Sequence, residues 1–176
     1  MGIRVVYGQR VGDCRKATQR CFCGWLGHPK RGCRCTPTDL ARYAARLSGP
    51  VLDRLDLQIE VPALTSTELL AAPPGDSTAV IRARVLAARD RQRERGALNA
   101  MLSNAALRKF CTLDATGTRL IAEAVDRGGM SARAVHRALR VARTIADLAG
   151  EERVTALRLA EALQYRAYEA RKFAAS

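Results

Sequence analysis

From Ser77 onward, apolar residues recur at the three- and four-residue spacing of amphipathic α-helices. Glycines interrupt the pattern at Gly96, Gly128-Gly129 and Gly150, as they commonly do where helices end. The pattern predicts helices over residues 77–95, 103–110, 114–127, 131–149 and 155–172. Because each such helix has an apolar face to bury, we expect these helices to form a bundle.

The predicted helix over residues 131–149 carries both an apolar stripe and several arginines. The stripe consists of Val135, Leu139, Ala142, Ala146 and Ala149. The arginines fall at other positions, so we expect them on the other faces of the helix. They are Arg133, Arg137, Arg140 and Arg143.

Ahead of the bundle, the patterns predict one helix and one strand. Thr36-Pro37 is a typical helix start, and the helix is expected to stop at Ser48-Gly49-Pro50. Apolar residues alternate with polar ones from Leu55 to Val61, which predicts a half-buried strand ending at Pro62. Because a strand needs pairing partners, this part of the chain is expected to be the end of a larger sheet domain.

These patterns divide the chain into four segments. Residues 1–20 show neither helical nor strand periodicity and are expected to be a flexible leader. Residues 21–62 hold the helix, the strand and a Cys/Gly loop. The sequence of residues 63–76 predicts a linker with a short helical turn at 66–71. Residues 77–172 are expected to form the helical domain.

The charge of the chain favours polyanionic partners. The net charge is +13, and residues 1–50 hold ten basic but only two acidic side chains. Such an excess favours nucleic acid, nucleotides or acidic lipid heads, although arginine-rich helices with solvated faces would produce it too. No apolar run reaches the roughly 18 residues of a membrane span, and the amino terminus lacks a signal-peptide pattern. We therefore expect a cytoplasmic globular protein without a membrane partner.

Four of the six cysteines form a cluster with the spacing C-x-C-x9-C-x-C, namely Cys21, Cys23, Cys33 and Cys35. Four thiolates suit a tetrahedral Zn²⁺, although structural zinc sites more often use C-x2–4-C pairs. A reduced glycine-rich loop without metal is the alternative, and His28 is a further candidate ligand. Cys111 is expected to be a thiol in the core of the helical domain.

Three stretches together resemble the magnesium-chelatase-like AAA+ ATPases, in particular the competence-associated ComM type that drives branch migration of DNA. The first is the cysteine cluster with Gly24 and Gly32; the second is YAARLSGPVLDRLDL over residues 43–57. The third is SARAVHRALRVARTIADL over residues 131–148, followed by EALQYR over residues 161–166. The likeness extends from about residue 21 to residue 168.

The resemblance implies a mainly α fold. Residues 77–172 would be the helical lid of an AAA+ ATPase, and residues 21–62 the last helix and strand of its α/β core. It also implies a homo-oligomer, a hexamer in the intact family, which binds ATP and Mg²⁺ between subunits and has DNA as a candidate partner. Arg54 takes the place of the family's arginine finger, which acts on a neighbouring subunit's nucleotide, and Arg133 that of the second sensor, with Arg137 as the alternative.

The family pattern breaks near residue 20. The sequence contains no G-x-x-x-x-G-K-[ST] loop and no apolar strand ending in paired acids for Mg²⁺, and Gln19-Arg20 stand where the family has Asn-Pro. A truncated or frameshifted reading frame would produce such a break. We therefore expect the chain alone to be without ATPase activity. A basic nucleic-acid-binding module, or a module that docks on family hexamers and lends them Arg54, is the alternative.

Overall fold

The computed structural model describes residues 3–7, 16–18, 21–28, 30–46, 55–61, 64–71 and 73–166. The fold is mainly α, as the sequence predicted. The chain divides into two compact units, Met1–Pro74 and Gly75–Ser176. No helix among the described residues is long and apolar enough to cross a membrane.

The first unit contains a three-stranded antiparallel sheet. Strands β1 (Ile3–Tyr7), β2 (Lys16–Thr18) and β3 (Leu57–Val61) lie in the order β2-β1-β3. Val5 of β1 lies opposite Ala17 on one side and Ile59 on the other. The predicted strand is thus confirmed as β3, where it follows the buried Leu55 and Asp56.

Strands β1 and β2 lie within residues 1–20, for which the sequence showed no strand periodicity. The run Ile3-Arg-Val-Val-Tyr7 is rich in residues that favour strands. Its last three residues are all apolar, however, so the run does not alternate between apolar and polar residues. Its partner β3 begins 50 residues later in the chain, so the pairing leaves no local periodic signal. The ladder supplies β3 with the hydrogen bonds that a single strand would lack.

Two helices of the first unit begin with the same reciprocal cap. At the start of α1 (Pro37–Arg46), the hydroxyl of Thr36 accepts a bond from the backbone N–H of Asp39 at 3.1 Å, and the Asp39 carboxylate accepts one from the N–H of Thr36 at 3.0 Å. Thr65 and Glu68 repeat the arrangement at α2 (Ser66–Ala71). These capping boxes satisfy backbone donors that have no partner within the helix.

Five α-helices and one 3₁₀-helix make up the described part of the second unit. They are α3 (Thr78–Glu94), the 3₁₀-helix Asn99–Met101, α4 (Asn104–Phe110), α5 (Ala115–Asp126), α6 (Ala132–Ala149) and α7 (Ala156–Gln164). Each α-helix begins after a Ser, Thr or Asp whose side chain accepts a backbone N–H, and all five predicted starts lie within one residue of the observed ones.

Only the end of the last helix differs clearly from the prediction. Gln164 is its last residue, and the N–H of Arg166 turns back to the carbonyl of Leu163 at 3.0 Å. No glycine or proline marks this end, so the periodicity extended the prediction to residue 172. Residues 167–172 lie outside the described part of the chain.

Helix α6 lies at the centre of the bundle. Ala134, Ala138, Ala142 and Ala146 are all 0% exposed, and their small side chains allow neighbouring helices to approach closely. Helix α6 packs against α3, α4 and α7. At its end, Gly150 adopts a φ of 77°, the left-handed conformation in which a glycine closes a helix at little cost.

The predicted faces of α6 need correction. Val135 and Leu139 are only half-buried and Ala149 is exposed, whereas Arg143 is 1% exposed and belongs to the buried face. A guanidinium can be buried when its donors and its charge are satisfied. The Nη atoms of Arg143 largely meet this condition, because they donate to the carbonyls of Glu151 and Glu152 at 2.6 and 2.7 Å and one of them lies 3.1 Å from the Asp147 carboxylate. The buried Nε has no hydrogen-bond partner in the described part of the chain.

Asp147 is the hub of a buried polar network. Its carboxylate is 0% exposed and accepts bonds from both Nη atoms of Arg95, which follows α3, and from the side-chain amide of Asn99 in the 3₁₀-helix at 2.8 Å. The side-chain amide of Asn99 also donates to the Thr144 hydroxyl at 3.0 Å, and its Oδ1 accepts a hydrogen bond from Arg95 at 3.1 Å. The network ties the end of α3 and the 3₁₀-helix to the last two turns of α6.

Candidate functional site

The cysteine loop is shaped by two consecutive tight turns. In the first, the N–H of Gly24 bonds the carbonyl of Cys21 at 3.2 Å; in the second, the N–H of His28 bonds the carbonyl of Trp25 at 3.0 Å. Gly24 and Gly27 have φ values of 79° and 77°, which other residues rarely adopt. The turns reverse the chain within eight residues and leave the Cys21 side chain buried at 1% exposure.

The four predicted cysteines converge. All four Sγ atoms lie within 4.8 Å of one another, and those of Cys21, Cys23 and Cys33 are 3.5 to 3.7 Å apart. Four sulfurs at about 2.3 Å from a tetrahedral Zn²⁺ would be separated by about 3.8 Å. The thiols are therefore spaced as ligands of a single ion would be, despite the short C-x-C spacing.

The thiols differ in acidity. Hydrogen bonds from the backbone of Trp25 and Arg34 lower the pKa of Cys23 to about 6. The backbone N–H of Cys35 lowers the pKa of Cys33, but burial and the thiols of Cys23 and Cys21 outweigh it and raise that pKa to about 12. Of these two thiols, Cys23 therefore loses its proton much more readily than Cys33, and a bound divalent cation would offset the repulsion among several thiolates.

His28 is not part of this group of ligand atoms. Its Nδ1 accepts the backbone N–H of Lys30 at 3.0 Å, and its ring meets Trp25 edge-on with the centroids 5.0 Å apart. The histidine closes the second turn, so among the described residues the donor set for a metal consists of the four cysteines.

The loop is fastened to helix α1 by an aromatic contact. The Phe22 ring meets Tyr43 edge-on at a centroid distance of 5.0 Å, and the Arg46 guanidinium lies over Phe22 at 5.1 Å. Because Tyr43 and Arg46 are one turn apart in α1, the loop and the helix form one continuous surface.

Two of the three arginines predicted to contact nucleotide lie in the described part of the chain. Arg133 lies in the first turn of α6 and is exposed, while Arg137 lies one turn later on the same side and is half-buried. Arg54 lies outside the described residues, two positions before the buried Asp56. Sequence reasoning missed the buried Arg143–Asp147 pair that anchors α6; only the i, i+4 spacing of the two charges pointed to it.

Comparison with known protein families gives two matches, which correspond to the two compact units of the chain. Residues 75–166 match the family described as magnesium chelatase, subunit ChlI C-terminal, and residues 12–69 match magnesium chelatase, subunit ChlI. The chain belongs to this magnesium-chelatase-like family.

The individual relatives identify the ComM type within the family. The chain is 44% identical over 136 residues to the competence protein ComM of Haemophilus influenzae, and 43% identical over 139 residues to YifB of Escherichia coli, with 76% and 77% of the chain covered. A Mycobacterium bovis relative, Mb2921c, is 37% identical over 145 residues, which is 80% of the chain. The matched segment spans 27% to 29% of the length of these relatives.

Proposed function

We propose that this chain supplies the lid and the end of the nucleotide-binding core of a ComM-type AAA+ ATPase that remodels DNA by branch migration. The observation that carries the proposal is the match of both family regions, in the family's order, to the two parts of one chain. One of the relatives is named as a competence protein. A cytoplasmic location would keep the clustered thiols reduced.

In this proposal the chain completes nucleotide sites that other segments build. Arg54 acts as an arginine finger on a neighbouring subunit's ATP, within a homo-hexamer in which ATP and Mg²⁺ bind at subunit boundaries. Arg133, or Arg137 one turn later, contacts ATP phosphate from the lid. Phosphoryl transfer spreads negative charge over the equatorial oxygens, and a guanidinium stabilises that charge with a planar pair of donors. The exposure of Arg133 at the start of α6 supports its role.

The isolated chain is expected to show no ATP hydrolysis above background. The reason is the missing phosphate-binding loop, without which the β- and γ-phosphates have no backbone cradle. Phosphate release by the purified chain should be compared with that of an intact ComM-type relative at equal concentration. Turnover by the chain that survives further purification and is lost on Arg133→Ala would contradict the proposal.

We further propose that the cysteine cluster holds one structural Zn²⁺ bound by Cys21, Cys23, Cys33 and Cys35. The ion would close the loop and contribute folding free energy, since four thiolates leave no open coordination position. The Sγ separations of 3.5 to 3.7 Å support this assignment.

Purified chain is expected to contain about one zinc per molecule, and Cys33→Ser should remove most of it, because the site then loses one of its four thiolates. Cys111→Ala is the matched control: Cys111 is a buried thiol of the second unit, and burial raises its pKa to about 11. Metal analysis after purification in reducing buffer measures the difference. Zinc absent from the wild type, or lost equally from both variants, would exclude the site.

A second candidate function is a basic module that binds nucleic acid or docks on hexamers of full-length relatives. The exposed cations around the cysteine loop favour its nucleic-acid form. Titrating the chain with DNA and, separately, with an intact relative distinguishes the two forms.

A further inference from the structure

The basic excess is denser around the cysteine loop than in the helical unit. Residues 21–46 hold five basic side chains and one acidic, an excess of four over 26 residues. Residues 73–166 hold seventeen and ten, an excess of seven over 94 residues. Per residue, the excess in the loop and α1 is about twice that of the helical unit.

Many arginines of the helical unit serve its own structure. Arg95 and Arg143 bind the buried carboxylate of Asp147, and Arg158 pairs with Glu151 at 2.8 Å. Arg91 and Arg140 each donate to a backbone carbonyl at 2.8 Å. Their charges are committed to holding helices together, so they contribute less to the binding of an external polyanion.

The cations of the cysteine loop differ from these arginines in their exposure and in their pairing. Lys30, Arg31 and Arg34 are exposed and form no ion pair with an acidic side chain in the described part of the chain. The only carboxylate between residues 21 and 46 is that of Asp39, and it is engaged by the N–H and hydroxyl of Thr36. No carboxylate described on this segment therefore neutralises the three charges, and the thiolates of the cysteine cluster are the remaining anionic groups there.

Aromatic rings lie among these cations. The Arg31 guanidinium lies 4.3 Å from the centroid of the Trp25 ring, and the Arg46 guanidinium lies 5.1 Å from that of Phe22. Phe22 is 45% exposed although it is a large apolar side chain. Trp25 is half-buried. Accessible rings interleaved with arginines are the kind of surface on which unpaired bases stack while their phosphates are neutralised.

We propose that this surface, which we call the loop face and define by Phe22, Trp25, Lys30, Arg31 and Arg34, binds single-stranded DNA. The three cations contact successive phosphates, and Phe22 and Trp25 offer ring surface to unpaired bases. The thiol cluster holds both parts in a fixed geometry. The inference deepens the proposed function, because it names the surface and the form of DNA that it takes. The competing explanation is that the cations only balance the negative charge of a metal–thiolate centre.

The test is fluorescence anisotropy with the full chain and a labelled 20-nucleotide single strand, alongside a duplex of the same sequence. The triple variant Lys30→Ala/Arg31→Ala/Arg34→Ala is expected to raise the Kd at least tenfold. It should also reduce the slope of log Kd against log salt concentration by about two, since each phosphate contact contributes about 0.7 for single strands. The matched control Arg82→Ala/Arg89→Ala/Arg153→Ala removes three exposed cations of the helical unit and should change the Kd less than threefold.

The variant Phe22→Ala tests the contribution of the aromatic ring to DNA binding separately from that of the three cations. It should weaken single-strand binding by about fivefold or more and leave duplex binding unchanged, because paired bases are not available for stacking. Zinc content is measured for each variant. Loss of binding at unchanged zinc content supports the loop face, whereas loss of binding that follows loss of zinc supports charge balance and overturns it.

The proposal that the loop face binds single-stranded DNA would be overturned by any of three results. These are equal weakening by both triple variants, tighter binding of the duplex, and no binding by the wild type. None of these results would affect the assignment of Arg54 and Arg133, because ATP turnover in mixed hexamers tests that assignment independently. Failure of the loop face and failure of the proposed ATPase role are therefore distinguishable.

Discussion

Replacing Arg54 by alanine is expected to lower ATP turnover at the neighbouring subunit by about 10³-fold or more. The experiment joins residues 21–170 of this chain to the preceding core of an intact ComM-type relative and measures hydrolysis by the resulting hexamers. An arginine finger stabilises transition-state charge and contributes about 10³ to 10⁵ in rate. In the sequence, Arg54 directly precedes the buried Leu55 and Asp56, which lead into β3.

Mixed hexamers determine whether Arg54 acts between subunits. Subunits that carry Arg54→Ala should silence wild-type neighbours while their own nucleotide site still responds to an intact neighbour. Arg54→Lys should be nearly as damaging as alanine, because a compact ammonium lacks the planar fork. Arg82→Ala is the control for loss of an exposed charge. If Arg54→Ala leaves the turnover of wild-type neighbours unchanged, the assignment of Arg54 as an arginine finger is wrong.

Replacing Asp147 by alanine is expected to lower the free energy of unfolding of the helical unit by about 3–5 kcal/mol, the range for breaking a buried charge pair by removing one partner. Arg143 is 1% exposed and the Arg95 side chain 19%, so the first guanidinium would lose its carboxylate where water cannot replace it and the second where water has limited access. Asn99, 1% exposed, would lose an acceptor as well. Urea unfolding followed by circular dichroism measures the change.

Asp90→Ala is the matched control for Asp147→Ala. It also breaks an aspartate–arginine pair, with Arg93 at 2.7 Å, but both side chains are more than 60% exposed. Pairs of this kind contribute little, so the unfolding midpoint should hardly move. Asp147→Asn keeps the shape and one acceptor and should fall between the two. Equal effects of Asp147→Ala and Asp90→Ala would show that the network does not hold the bundle together.

The cysteine cluster shows how far a motif can be interpreted without coordinates. The spacing identified four ligand candidates, and the structure brings the same four together. The short C-x-C pairs, however, appeared unfavourable for a tetrahedral site. Two turns with glycines at positive φ resolve the difficulty, since they fold the chain back so that the Cys21 and Cys33 sulfurs lie 3.7 Å apart. Sequence spacing alone does not specify such a reversal.

Helix positions and caps were determined by the sequence itself. Period, capping residues and terminal glycines act within a few residues, so the bounds of α3 to α6 followed from them. The tertiary structure alone decided the buried face of α6 and the partners of β3. Arg95 reaches Asp147 across 52 positions, and Val5 pairs with Ile59 across 54. Whether a charge can be buried, or a strand paired, depends on groups that only folding brings together.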